Sequence, residues 1–141
     1  MNAPSEPAIA RSLQCWHQMV EARRLDRLPE LLHPEVVFRS PMAHTPYAGA
    51  PTVHLILSTV LGVFEDFAYH RELFSEDGTS VVLEFSARVG ERQLKGIDLI
   101  RFDQHGAIVE FEVMVRPMSG LQALGAEMGQ RLAPLLSASK N

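Results

Sequence analysis

Between residues 67 and 116 the chain makes four runs rich in branched and aromatic residues, each separated from the next by a short turn. The runs cover about 67–75, 79–89, 92–103 and 107–116, with Asp77-Gly78, Gly90-Glu91 and His105-Gly106 between them. Runs of this kind punctuated by Gly-containing dipeptides read as strands joined by hairpins. They predict an antiparallel meander, and its register decides which side chains face a core.

The third run, Gly96-Ile97-Asp98-Leu99-Ile100-Arg101-Phe102, is the informative one. Successive strand side chains point to opposite faces. Leu94, Gly96, Asp98, Ile100 and Phe102 therefore share a face on which Asp98 is the only ionisable group. A two-residue loop at Gly90-Glu91 opposes Val89 to Arg92 and Leu83 to Asp98, adding Phe85 and Ala87 to this face. A loop at 103–106 pairs Phe102 with Ala107 and Asp98 with Phe111, adding Val109, Val113 and Val115. A slip of one residue would exchange the two faces. In this register one face is apolar around a single carboxyl group. The other mixes Val82, Ile97, Leu99 and Met114 with Glu84, Arg88, Lys95, Arg101, Glu110, Glu112 and Arg116. A mixture of apolar anchors and opposite charges suits a subunit interface, so a homodimer through that outer face is expected.

Upstream, Ser5-Glu6-Pro7 is a helix start, and Ile9, Leu13, Trp16 and Val20 follow at helical spacing. Arg23 and Arg24 fall near the C-terminal end, where cations suit the helix dipole. Asp26 is placed to cap a short second helix carrying Leu28, Leu31 and Leu32, ended by Pro34. Residues 36–40 read as a short strand stopping at Pro41, and 41–49 as a loop holding His44 and Tyr47. Residues 50–64 predict a helix burying Val53, Ile56, Leu57, Val60, Leu61 and Phe64. His54 at its stripe's edge reads as a surface residue. After the strands, Pro117 and Ser119 introduce a last helix with Leu121, Leu124, Met128, Leu132 and Leu135 on one side, weakened by Pro134. Helices followed by an antiparallel sheet make an α+β fold, in one domain over 1–141 with loose ends at 1–4 and 137–141.

A hydrophobic content of 46% with 21% charged residues is globular, and a net charge of −4 without basic runs gives no footprint for nucleic acid. No apolar run is long enough to span a membrane. Residues 1–10 lack a basic start and an apolar core, so no leader is expected. The lone Cys15 cannot form an internal disulfide, reads as a buried inert thiol, and points to a reducing, cytoplasmic setting. The six histidines lack metal-ligand spacing, and there is neither a Gly-rich phosphate loop nor a strand–turn–helix nucleophile elbow. Neither metal nor cofactor is expected.

Residues 16–26 (WHQMVEARRLD), 31–41 (LLHPEVVFRSP), Tyr47-Ala48-Gly49 and 96–108 (GIDLIRFDQHGAI) together resemble the SnoaL-like branch of the nuclear transport factor 2-like superfamily. Ketosteroid isomerases and polyketide cyclases are relatives. The similarity runs from about Ile9 to Val115. It implies a curved antiparallel sheet wrapped as a cone around a cavity and closed by the N-terminal helices, with an additional C-terminal helix. Carried over residue by residue, the isomerase base falls at Ser40, which cannot act as a carboxylate. The Tyr of the oxyanion hole falls at Trp16, an N–H donor that does not ionise. The carboxylic acid of that hole falls at Asp98 and is kept; ketosteroid isomerase is the standard example of an acid held neutral by an apolar site. Limonene epoxide hydrolases of this superfamily use an Arg two residues before an Asp, and here that position is Gly96. SnoaL-like cyclases use an acidic pocket residue, a role open to Asp98.

The expected site is therefore Asp98, as acid, base or hydrogen-bond donor, with its pKa raised by burial. Leu83, Phe85, Phe111 and Val113 on the sheet are expected to line the pocket, with Trp16, Phe38, Ser40 and Ile56 around them. The alternative is that Asp98 is structural, bonded to a polar group such as the Trp16 indole. Three functions compete: an isomerase or cyclase acting on an apolar, carbonyl-bearing small molecule, a binding protein for such a molecule, and a protein-interaction module.

Overall fold

A computed structural model of the chain describes residues 6–140, with side chains to Leu135. The expected capping by Ser5 and the expected loose tails at 1–4 and 137–141 fall on residues whose structure or side chains lie outside this description. Helix α1 (Pro7–Ala22) opens with Glu6 at the N-cap and Pro7 in the first turn, where a missing N–H costs nothing. It closes at Arg23, whose left-handed backbone (φ 57°) returns its N–H to Met19 and Val20. Strand β1 (Leu32–Arg39), strand β2 (Tyr47–Ala48) and helix α2 (Ala50–Val63) follow. The meander is β3 (Glu65–Phe74), β4 (Ser80–Val89), β5 (Arg92–Phe102) and β6 (Ile108–Arg116), and helix α3 (Met118–Lys140) closes the order.

The six strands form one curved, open sheet in the order β2-β1-β6-β5-β4-β3. Every neighbouring pair is antiparallel except β1 and β6, which run parallel. The helices lie against the face bearing Asp98, and buried side chains from all three helices and strands β1, β4, β5 and β6 form one core. Burial along β5 strictly alternates from Leu94 to Phe102, with Leu94, Gly96, Asp98, Ile100 and Phe102 buried. No helix among the described residues is long and apolar enough to cross a membrane.

The expected register of β4 and β5 is found, Val89 with Arg92 and Leu83 with Asp98. That of β5 and β6 needs correction. Asp98 pairs with Val113 rather than Phe111, and Phe102 with Ile108 rather than Ala107. The cause is Asp103, whose Oδ1 accepts the backbone N–H groups of His105 and Ala107 at 2.9 Å while its own N–H bonds the Ala107 carbonyl. This wider turn moves the pairing by one residue, and an irregularity between Arg101 and Phe102 moves it by one more. The two shifts sum to an even number, so the face assignment survives.

The expected helix over Leu28–Leu32 is only a 3₁₀ turn, Leu28–Glu30. Leu32 instead begins β1, because Ile108 N–H bonds the Leu31 carbonyl at 2.7 Å and draws the segment beside β6. Pro34 lies where β1 and β6 lose register between Leu32 and Val37, and a residue without an N–H is tolerated there. The 41–49 segment contains β2, whose two residues are too few to show alternation. Ser119 is inside α3 rather than capping it, and Leu135 is exposed rather than part of the buried stripe.

Candidate functional site

The concave face of the sheet and the helices enclose a cavity of about 340 Å³. Each element contributes for a local reason. The stripe of α1 turns Trp16 and Val20 inward, and that of α2 turns Ile56, Leu57 and Leu61 inward. Alternation on β6 presents Phe111 and Val113, and β3 presents Phe67 and Tyr69. Leu124, Met128 and Leu132 of α3 cover the space, with Gly125 letting Met42 approach. Among the described residues that line the cavity, Asp98 is the only acid, and there is no Lys, Arg or His.

Asp98 sits in the middle of β5 between Leu83 and Val113 and is 7% exposed. Tyr69 Oη donates to its Oδ2 at 2.5 Å, and Trp16 Nε1 donates to Tyr69 Oη at 3.0 Å. No fully buried side-chain oxygen lacks a partner among the described residues. Asp98 Oδ1 makes no such bond, so it has open space, which is the cavity it lines. Removal from water disfavours the carboxylate and raises the pKa of Asp98 to about 7, against the opposing pull of the Tyr69 hydrogen bond. Burial and the neighbouring Asp98 push the Tyr69 hydroxyl well above its ordinary range. Tyr69 is thus a neutral donor, and near neutral pH Asp98 exists in both forms, able to donate to a carbonyl or to accept a proton.

Trp16, Phe38, Ser40, Ile56, Phe111 and Val113 all line the cavity with Asp98. Leu83 and Phe85 do not and are corrected to core residues, 1% and 0% exposed. Phe85 stacks on Phe67 at 5.1 Å and against Phe64 at 5.5 Å; those two rings line the cavity and lie between it and Phe85. Trp16 does not reach Asp98 directly, as the structural alternative supposed, because Tyr69 stands between them. Its ring packs edge-on against Phe111 at 5.3 Å. Ser40 accepts the Met42 N–H at 3.0 Å and, like Tyr47, lines the cavity. His44 is exposed and outside the lining, His54 is bonded to the Leu25 carbonyl, and Cys15 is half-buried against the core. Arg39 points away from the cavity to Glu110, as its alternation with Ser40 requires. Among the described residues no three His, Cys, Asp or Glu are grouped to hold a metal ion.

Tyr69 is the residue that sequence reasoning missed. Its signal lay in the spacing Phe67-x-Tyr69, which places two rings on one strand face. The pairing of β3 with β4 shifts at two irregularities, 65–68 and 69–72, so counting from the Asp77-Gly78 turn cannot bring Tyr69 to Asp98.

The sequence model of the SnoaL-like domain matches residues 13–111. The crystal structure of a steroid delta-isomerase from Pseudomonas aeruginosa is 69% identical over 96% of this chain and 99% of that one, with a TM-score of 0.92. A cystatin-like-fold protein from Silicibacter pomeroyi DSS-3 is 31% identical over 96% and 94%, with a TM-score of 0.82. An epoxide hydrolase/cyclase-like enzyme of pyran-ring formation in salinomycin shares the fold at 14% identity, over 79% and 92%, with a TM-score of 0.64. No curated protein matches the sequence.

Proposed function

This chain belongs to the SnoaL-like domain family, and from that premise we propose that it binds an apolar, carbonyl-bearing small molecule in the cone and exchanges a proton with it through Asp98. One observation carries the reading: a lone carboxyl group whose Oδ1 faces a cation-free, largely apolar cavity. An apolar pocket with a few convergent polar groups and a perturbed acid is the usual form of a small-molecule site. The absence of a lining cation favours an uncharged ligand. The name of the Pseudomonas relative adds double-bond isomerisation of a steroid ketone as the reaction to try first.

In that reaction the Asp98 carboxylate takes a proton from the carbon between a carbonyl and a double bond. The electron pair moves into the carbonyl as the double bond shifts, and the new carboxyl returns the proton to the far carbon. Atoms and charge balance without a co-reactant. The same acid cannot hold the carbonyl oxygen while it carries out that transfer, and Ser40 supplies no second carboxylate. This favours a second reading, binding without turnover. A β,γ-unsaturated steroid ketone separates the two. Under the first reading its conversion to the conjugated ketone is seen by absorbance and is lost in Asp98→Asn. Under the second, the ketone binds without conversion and Asp98→Asn changes its affinity modestly. Failure to bind any such ketone overturns both.

We also propose that two copies pair through the outer sheet face. Met114 is 46% and Leu73 52% exposed there. Around them lie the ion pairs of Arg71 and Lys95 with Glu84, and of Arg39 and Arg101 with Glu110.

A further inference from the structure

We infer that Tyr69, backed by Trp16, is a positioning residue that keeps the acidic proton of Asp98 on Oδ1, the oxygen facing the cavity. The inference rests on the proposed role of Asp98 and adds which oxygen performs it and why.

Tyr69 Oη carries one hydrogen and has two polar neighbours, Trp16 Nε1 at 3.0 Å and Asp98 Oδ2 at 2.5 Å. An indole N–H donates and cannot accept. The hydrogen of Tyr69 therefore has one place to go, Asp98 Oδ2. A proton on that same oxygen would set two hydrogens against each other or leave the Tyr69 hydroxyl without an acceptor, and a buried unmade hydrogen bond is costly. When Asp98 is neutral its proton is driven to Oδ1, which has no protein partner among the described residues and looks into the cavity. When Asp98 is ionised, Tyr69 still holds Oδ2, and Oδ1 is the free base.

The rings around Tyr69 keep this relay in place. Phe67 meets Tyr69 edge-on at 4.9 Å, and His17, itself bonded to Glu72 at 2.7 Å, meets it edge-on at 5.3 Å. Trp16 is held by Phe111 in turn. Neither Tyr69 nor Trp16 needs to touch the reacting atoms for this function; they decide which end of the Asp98 carboxyl is active.

The test is the titration of the Asp98 side-chain carboxyl carbon by ¹³C NMR in the full chain, compared with Tyr69→Phe and Trp16→Phe. Tyr69→Phe removes the donor that favours the carboxylate, so the midpoint rises, with proton affinity increasing about tenfold. Trp16→Phe weakens the donor without removing it and gives a smaller rise. The pH at which affinity for 2-acetylnaphthalene, an uncharged aromatic ketone, falls by half moves with the midpoint. A purely structural Tyr69 would alter stability and leave the midpoint in place, and an unchanged midpoint in a folded Tyr69→Phe protein overturns the inference. If Tyr69→Phe does not fold, an unchanged Trp16→Phe midpoint does so. A wild-type midpoint near 4 instead overturns the reading of Asp98 itself, so the two failures are distinguishable.

Discussion

A carboxyl group that keeps its proton to about pH 7 in the folded chain makes folding itself depend on pH. Between an ordinary Asp value near 3.8 and about 7, the folded protein holds a proton that the unfolded chain has released. Unfolding then releases a proton, so stability falls as pH rises through this window, by roughly 4 kcal/mol once Asp98 is fully ionised. Asp98→Asn removes that slope. In urea melts from pH 4 to 8 its stability advantage over wild type is expected to grow with pH and level off above 7; an advantage independent of pH would contradict the burial of Asp98. Glu84 works in the opposite sense. Arg71 and Lys95 hold its carboxylate down to about 2, so its contribution is present above 4.5 and is lost as pH falls toward 2. Glu84→Gln is expected to lower stability at neutral pH and to flatten the acid limb of the same melts. The sequence disclosed Asp98, because an acid alone among apolar neighbours breaks a strand's alternation. It hid Tyr69, because a tyrosine on an amphipathic strand breaks no pattern.

Among the elements, β5 is held in place by what its glycine lacks. A Cβ on Gly96 would overlap the Met114 carbonyl at 2.4 Å and the Phe85 ring at 2.6 Å. The same crowding explains why no arginine stands two residues before Asp98: Phe85 occupies that space. Gly96→Ala is expected to destabilise the fold by about 1–3 kcal/mol in urea denaturation, as overpacking of a tight core does. Helices α1 and α2 are joined by Arg23, whose Nη2 donates to the carbonyls of Leu61 at 2.8 Å and Phe64 at 2.9 Å, where the C-terminal end of α2 is otherwise unsatisfied. Arg23→Gly keeps the left-handed backbone at ease and removes the side chain with its two hydrogen bonds, and a loss of about 1–3 kcal/mol is expected in the same experiment. The helices and long strands could be read from periodicity, which records only which side of an element is buried. The 3₁₀ turn, β2 and the parallel neighbour of β6 could not, because they arise from pairing between segments far apart in sequence.

At the scale of the whole molecule the alternation of β4, β5 and β6 divides the sheet into an inner face that makes a cavity and an outer face that is only half covered. The outer rows run through Leu73, Val82 and Leu99 and through Glu84, Ile97 and Met114. A second copy would bury them, and Met114→Glu is then expected to convert a dimer to a monomer in sedimentation velocity while leaving the fold intact; a wild-type monomer at high micromolar concentration would contradict the pairing. That the two faces could be told apart from the sequence despite a misplaced turn follows from the period of two, which an even shift leaves unchanged. The identity of the ligand has no such signature, since the lining comes from eight elements whose side chains meet only in the folded chain. The most direct measurement of the central claim is the infrared carbonyl stretch of 2-acetylnaphthalene bound at pH 6. A hydrogen bond from the neutral carboxyl of Asp98 lowers that frequency in the wild type, and its loss restores it in Asp98→Leu, which has no donor. An identical frequency in the two proteins would contradict the account.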